Sequence, residues 1–181
     1  MSLRLRLARL YLPAGIRKRK LGELLRLTAR AFDAVPPSIE GLSLEATRRR
    51  YAEFSQETAE RALGRPEGLE AIRQRLFEEA QRLGQELARE LGVSTPKEVM
   101  TAARILYRGL EIDLRGDGQG AIVIRRCSFS SRYSPEVCRL ISALDAGVLA
   151  GLAGGGELEF SQRLTEGADS CRARFSFPEA T

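Results

Sequence analysis

Between Cys127 and Cys171 the chain changes its period, and that change limits what it can fold into. Ser134-Pro135 is a helix start, a capping hydroxyl followed by proline at the first helical position. Cys138, Ile141, Asp145, Val148 and Leu152 then follow helical spacing until Gly154-Gly155-Gly156 stops the helix. After the glycines, Leu158, Phe160 and Leu164 alternate with Glu157, Glu159 and Arg163, and Gln162 falls on the apolar side. Cys171, Ala173, Phe175 and Phe177 alternate with Ser170, Arg172, Arg174 and Ser176. Period-two patterning of this kind marks half-buried antiparallel strands. Residues 165–169 are few and contain a glycine, which suits a hairpin. Upstream, Ile112 and Leu114 precede the glycine-rich turn at 116–120, and Ala121-Ile122-Val123-Ile124 runs on into Arg125-Arg126-Cys127. Strands are therefore expected near 111–116, 120–127, 157–164 and 170–177, with a helix between the pairs.

The first half reads as helices. Leu21, Leu24, Leu25, Thr28 and Phe32 make one face, which Val35-Pro36-Pro37 ends. Ser43 caps a second helix whose buried side is Leu44, Thr47, Tyr51, Phe54, Thr58 and Ala62, and Gly64-Arg65-Pro66 breaks it. A long helix runs from about Glu67 to Leu91, with Gly84 beside its apolar stripe where it permits close backbone approach. Thr95-Pro96-Lys97-Glu98 is a capping box opening a further helix, in which Met100 and Tyr107 read as core. Leu3, Leu5, Leu7 and Leu10 fit a strand or, less well, a helix. The expected product is a single α+β domain over 1–181. Residues 1–109 are mainly helical, and residues 110–181 carry a four-stranded antiparallel sheet in a strand–strand–helix–strand–strand arrangement.

Of 181 residues none is histidine. This excludes Ser-His-Asp and Cys-His catalysis, His-based metalloprotease sites and Cys/His zinc fingers. No Walker or Rossmann glycine pattern occurs. No apolar run reaches the roughly 18 residues of a membrane span. Three cysteines, an odd number, with no secretory signal, point to a reducing cytoplasm. Residues 1–50 hold twelve Lys/Arg and four Asp/Glu, a net +8, while the other 131 residues are net −3. Such a basic region can bind nucleic acid or an anionic surface, but no nucleic-acid-binding fold accompanies it. We expect no specific nucleic-acid function, only salt-labile attraction. A homo-oligomer is compatible with the sequence.

All three cysteines, Cys127, Cys138 and Cys171, fall in the stretch that changes period. Each has a bland reading as a small buried hydrophobe and sharper ones as a nucleophile or metal ligand. Zinc is compatible with three thiols but not favoured, because no Cys-x-x-Cys pair exists. Asp145 lies seven residues after Cys138 on the same helical face and interrupts an apolar stripe. A buried carboxylate is costly unless paired. It is either salt-bridged to an arginine, or a general base or the partner of a substrate ammonium.

Three segments resemble the L-2-amino-thiazoline-4-carboxylic acid hydrolase-like proteins. They are Leu24–Phe32 with Arg50–Phe54, the Cys127, Cys138, Asp145 spacing, and Glu166-Gly167-Ala168-Asp169-Ser170-Cys171 through Phe175. The second half also resembles, more distantly, the 4-vinyl-reductase-like ligand-binding domain. The first resemblance implies hydrolytic opening of a cyclic sulfur–carbon–nitrogen ring to a carbamoyl-cysteine, with Cys127, Cys138, Asp145 and Cys171 as the positions that carry it.

Two functions of different class follow. As a hydrolase of a cyclic C–N substrate, the chain uses Cys127 or Cys138 as nucleophile, or as a zinc ligand that activates water. Asp145 is then the base, and Arg126 or Arg132 holds a substrate carboxylate. As a non-catalytic module, it holds a small ligand in a pocket lined by Cys171, Phe175, Gln162 and Tyr133. Catalysis requires Asp145 within hydrogen-bond reach of a thiol or of a water.

Overall fold

The computed structural model describes residues 1–65 and 67–179. Among the described residues six α-helices precede or interrupt a four-stranded antiparallel sheet, as the change of period predicts. The helices are α1 (Leu3–Leu10), α2 (Ala14–Ala31), α3 (Leu44–Leu63), α4 (Leu69–Leu91), α5 (Pro96–Gly109) and α6 (Pro135–Ala153). The strands are β1 (Leu114–Gly116), β2 (Ala121–Ile124), β3 (Glu157–Gln162) and β4 (Cys171–Ser176), in the order β1-β2-β4-β3. The undecided N-terminal segment is helical. Pro66, part of the expected break after α3, lies outside the described residues.

Local chemistry sets the helix starts. The hydroxyls of Ser43 and Ser134 accept from the amides of Ala46 and Val137 at 3.1 and 3.2 Å. Each cap of this kind stabilises its helix by about 1 kcal/mol. At α5, Thr95 caps Glu98, but the Glu98 carboxylate reaches back to the Ser94 amide at 2.9 Å, one residue before the partner a capping box prescribes.

The strands are shorter than the alternation suggests. β2 stops at Ile124, so Cys127 lies in the loop beyond it and not on a strand. The inner face of the sheet carries Leu114, Ile122, Ile124, Cys171 and Phe175, all buried. Cys171 pairs with Ile124, and Phe160 pairs with Ala173. Between Phe160 and Gln162 the register slips: two residues of β3 oppose one of β4. Such a bulge moves every later side chain of the strand to the opposite face. Gln162 therefore pairs with outward Arg172, and Arg163 takes the inward direction. The connection between β3 and β4 contains a 3-10 turn at Leu164–Glu166, so Leu164 belongs to the turn and not to a strand.

Helix α6 is buried on most of its circumference and touches α3, α4, α5 and β3. Its closest neighbour is α4, and glycines set that distance. A Cβ on Gly84 would lie 2.4 Å from the Val148 carbonyl oxygen. On Gly147 and Gly151 it would lie 2.2 Å from the carbonyls of Phe77 and Gln81. The two backbones touch without side chains between them. This fixes the position of α6 and of the polar groups on its other face.

Candidate functional site

A cavity of about 180 Å³ lies where α6, α5, α3 and the β3–β4 connection meet, with α1 and α2 along one side. The cavity face of α6 is Cys138, Ile141, Ser142, Leu144, Asp145, Val148 and Leu152, which contains the stripe read from the sequence. Cys127 reaches the cavity from the loop after β2, and Cys171 from the start of β4. All three thiols are free. Tyr133 presents its ring, which is stacked on Phe129 with centroids 5.4 Å apart. Its hydroxyl is hydrogen-bonded to Ser55 Oγ at 2.5 Å.

Asp145 forms no salt bridge with an arginine among the described residues. Among the described residues its hydrogen-bond partner is Tyr107, whose hydroxyl donates to Asp145 Oδ1. Burial pushes the carboxyl up from 3.8 to about 6, against the lowering effects of the Tyr107 hydrogen bond and of Arg163. The Tyr107 phenol is itself held well above its ordinary range, by burial first and by the Asp145 charge second. Asp145 is thus ionised near neutral pH, with one oxygen held and the other without a hydrogen-bond partner among the described residues.

Arg163 is the second charge. The bulge in β3 turns it inward, where its Nη1 donates to Ser142 Oγ at 3.0 Å and lies 3.9 Å from Cys138 Sγ. Its guanidinium carbon sits 3.9 Å from the centroid of the Phe160 ring. Among the described residues it forms no ion pair. The cavity therefore holds an acid and a cation that form no ion pair with each other among the described residues, although the Arg163 charge still lowers the Asp145 pKa.

The thiols differ in setting. Burial pushes Cys127 up to about 12. Cys171 is also raised, by burial first, and its sulfur accepts the Leu164 amide at 3.4 Å. Both remain thiols at neutral pH. Cys138 alone has a guanidinium at its sulfur. Among the described residues no three Cys, Asp or Glu side chains are grouped so as to hold a metal ion.

Four residues expected to hold a ligand do not line this cavity. Gln162 is carried to the other face by the bulge, and its amide donates to the Ser170 carbonyl at 2.9 Å. Phe175 is 1% exposed and packs edge-on against Phe177, two inward positions along β4 from Cys171. Arg132 is exposed in the turn before α6. Arg126 lines a separate groove that shares Ile112, Cys127, Ser130 and Leu164 with the cavity and is rimmed also by Arg104, Arg108 and Arg125. It stands at the approach to the cavity, not within it. Sequence reasoning missed Tyr107 and Arg163. Tyr107 has no signal beyond its helical stripe. For Arg163 the signal is Gln162, a polar residue at an apolar position where the period breaks.

Residues 45–175 match the family described as L-2-amino-thiazoline-4-carboxylic acid hydrolase. The matched span includes Tyr107, Cys127, Cys138, Asp145, Arg163 and Cys171, and it leaves out α1 and α2. The chain matches none of the curated proteins compared with it. By the extent of the family match, which covers most of its length, this chain belongs to the L-2-amino-thiazoline-4-carboxylic acid hydrolase family.

Proposed function

We propose that the chain hydrolyses a 2-amino-thiazoline-4-carboxylate, opening the ring to a carbamoyl-cysteine. The observation that carries this reading is the pair of opposite charges, Asp145 and Arg163, in one small apolar cavity without a direct ion pair between them among the described residues. Such a ligand has a matching pair: a carboxylate at one end and a basic amidine at the other. A cavity of about 150 Å³ accepts a benzene ring, so the volume here suits a five-membered heterocycle.

Arg163 binds the carboxylate by charge-assisted hydrogen bonds. The amidine end then faces Asp145. Its free oxygen takes a proton from water as the oxygen of that water attacks the amidine carbon, the general-base role for which a carboxyl near 6 is suited. The tetrahedral intermediate collapses with cleavage of the carbon–sulfur bond, because a thiolate leaves more readily than an amide anion. The proton held by Asp145 passes to the sulfur. One water is added, and the product carries a free thiol and a carbamoyl nitrogen. The arginines rimming the neighbouring groove, Arg126 among them, favour the approach of an anionic substrate.

A second route is favoured by the 3.9 Å contact between Arg163 and Cys138. In it the Cys138 sulfur attacks the amidine carbon, the ring carbon–sulfur bond breaks and its sulfur takes the Cys138 proton, and water then adds to the same carbon and expels Cys138 as a thiol, leaving the carbamoyl product. Alanine substitution separates the two routes. Cys138→Ala retains turnover in the water route and abolishes it in the thiol route. A protein that binds the thiazoline without consuming it is instead a ligand-binding module, the alternative that the apolar walls favour.

A further inference from the structure

Helix α1 packs one face on α5 and α4, and its start is tied down by the Met1 ammonium paired with Glu98 at 2.8 Å and by Arg4 donating to the Glu90 carbonyl at 3.4 Å. Leu5 is fully buried, and the Ser2 hydroxyl donates to the Leu91 carbonyl. The opposite face carries Leu3, Leu7 and Leu10 at positions i, i+4 and i+7, joined by Tyr11 just past the helix end. Their exposures are 71%, 57%, 76% and 70%. Large side chains on one helical stripe, with no protein against them, mark a surface built for a partner.

The charge around that stripe identifies the partner's chemistry. The first twenty residues contain Arg4, Arg6, Arg9 and the Arg17–Lys20 run, and no Asp or Glu, although Arg19 and Lys20 pair with Glu23 and Lys20 also with Glu90. Helical geometry puts Arg4 and Arg6 on the two flanks of the leucine stripe. Among the described residues Arg4, Arg6 and Arg9 form no ion pair. A nucleic acid would use the cations and leave the leucines in water. A second copy meeting this face about a twofold axis would set like charges against each other. An anionic lipid surface satisfies both the apolar stripe and the cations.

We propose that α1 and the basic start of α2 dock the protein on an anionic membrane surface, with Leu3, Leu7 and Leu10 entering the acyl boundary and the arginines at the headgroups. Among the described residues no helix is long and apolar enough to cross a membrane, so the contact is interfacial. Ala8 on α1, with Leu12 and Ile16 in the following turn and α2, also line the cavity. Docking therefore places one wall of the cavity against the lipid. This inference does not depend on the reaction proposed above.

The test is co-sedimentation of the full chain with vesicles of phosphatidylcholine alone and of phosphatidylcholine mixed with phosphatidylglycerol, at low and raised salt. We expect binding to the mixed vesicles only, weakened by salt. Substituting Leu7→Ser and Leu10→Ser together, at exposed positions that spare the fold, should reduce it by about tenfold or more; circular dichroism checks the fold. Absence of vesicle binding overturns the proposal. So does binding indifferent to the leucine substitutions, which reports charge alone. A leucine-dependent dimer without vesicle binding, or oligonucleotide binding in its place, assigns the face to another partner.

Discussion

Tyr107 donates its phenolic hydrogen to Asp145 Oδ1, joining the end of α5 to the middle of α6 across 38 positions of sequence. The bond fixes one carboxylate oxygen. It also opposes burial: the phenol favours the charged carboxylate, and burial disfavours it. Removing the phenol should therefore push Asp145 above about 6. In Tyr107→Phe the acid limb of the kcat/KM–pH profile is expected to move to higher pH by about 1–2 units, from the usual strength of a hydrogen bond to a charge. An unmoved limb would mean that the limb belongs to another group.

The same carboxyl has a sign in stability. Its folded pKa lies above the ordinary 3.8, so the folded state binds its proton more tightly than the unfolded state does. Stability from this group is present below about pH 4, falls as the pH rises to about 6, and is flat beyond. The full shift corresponds to roughly 3 kcal/mol. Asp145→Asn keeps an acceptor for Tyr107 and removes the buried charge. Urea unfolding at about pH 7.5 should show the variant more stable by about 1–3 kcal/mol, with the difference shrinking toward about pH 4.5. A destabilised variant at neutral pH would show that the charge is not costly where it sits.

Arg163 is proposed to bind the substrate carboxylate. Arg163→Gln keeps a donor for Ser142 and loses the charge. A charge-assisted hydrogen bond is worth about 1.5–3 kcal/mol, so KM should rise by about tenfold to a hundredfold. An uncharged amide analogue of the substrate should lose little further in this variant. Equal losses for acid and amide would place the carboxylate elsewhere, on Arg126 for example.

Much of this was legible in the sequence, and the failures have physical causes. The helix carrying Cys138 and Asp145 is announced by Ser134-Pro135 and by a stripe that its buried face retains. The sheet follows from alternation at Leu114, Ile122, Ile124, Cys171 and Phe175. Alternation also predicted that Gln162 faces inward and Arg163 outward. One bulge reverses both, because a period of two carries no memory across an inserted residue. Tyr107 looked like core because its ring is buried; the partner of its hydroxyl is a tertiary contact, which helical spacing does not encode. Leu3, Leu7 and Leu10 were ambiguous because their apolar face is not turned inward.

The position of α6 rests on bare backbone at Gly84. Its added Cβ would meet the Val148 carbonyl and the Gly151 Cα, neither of which can turn aside. Gly84→Ala gains helix propensity of about 1 kcal/mol, yet the helices must separate. We expect a net loss of about 1–3 kcal/mol in thermal or urea unfolding, the usual cost of overpacking. Turnover should fall as well, since α6 carries Asp145. A variant as stable as the parent would show that α4 and α6 slide apart freely.

The most direct test of the central claim is mass spectrometry of L-2-amino-thiazoline-4-carboxylate incubated with purified protein and with Asp145→Asn, beside a thiol-reactive chromogen. The account predicts a product heavier by one water and carrying a free thiol, formed by the parent at a rate that falls below about pH 6 and not formed by the Asn variant. Unchanged substrate with the folded parent, or an Asn variant that turns over as the parent does, would contradict it.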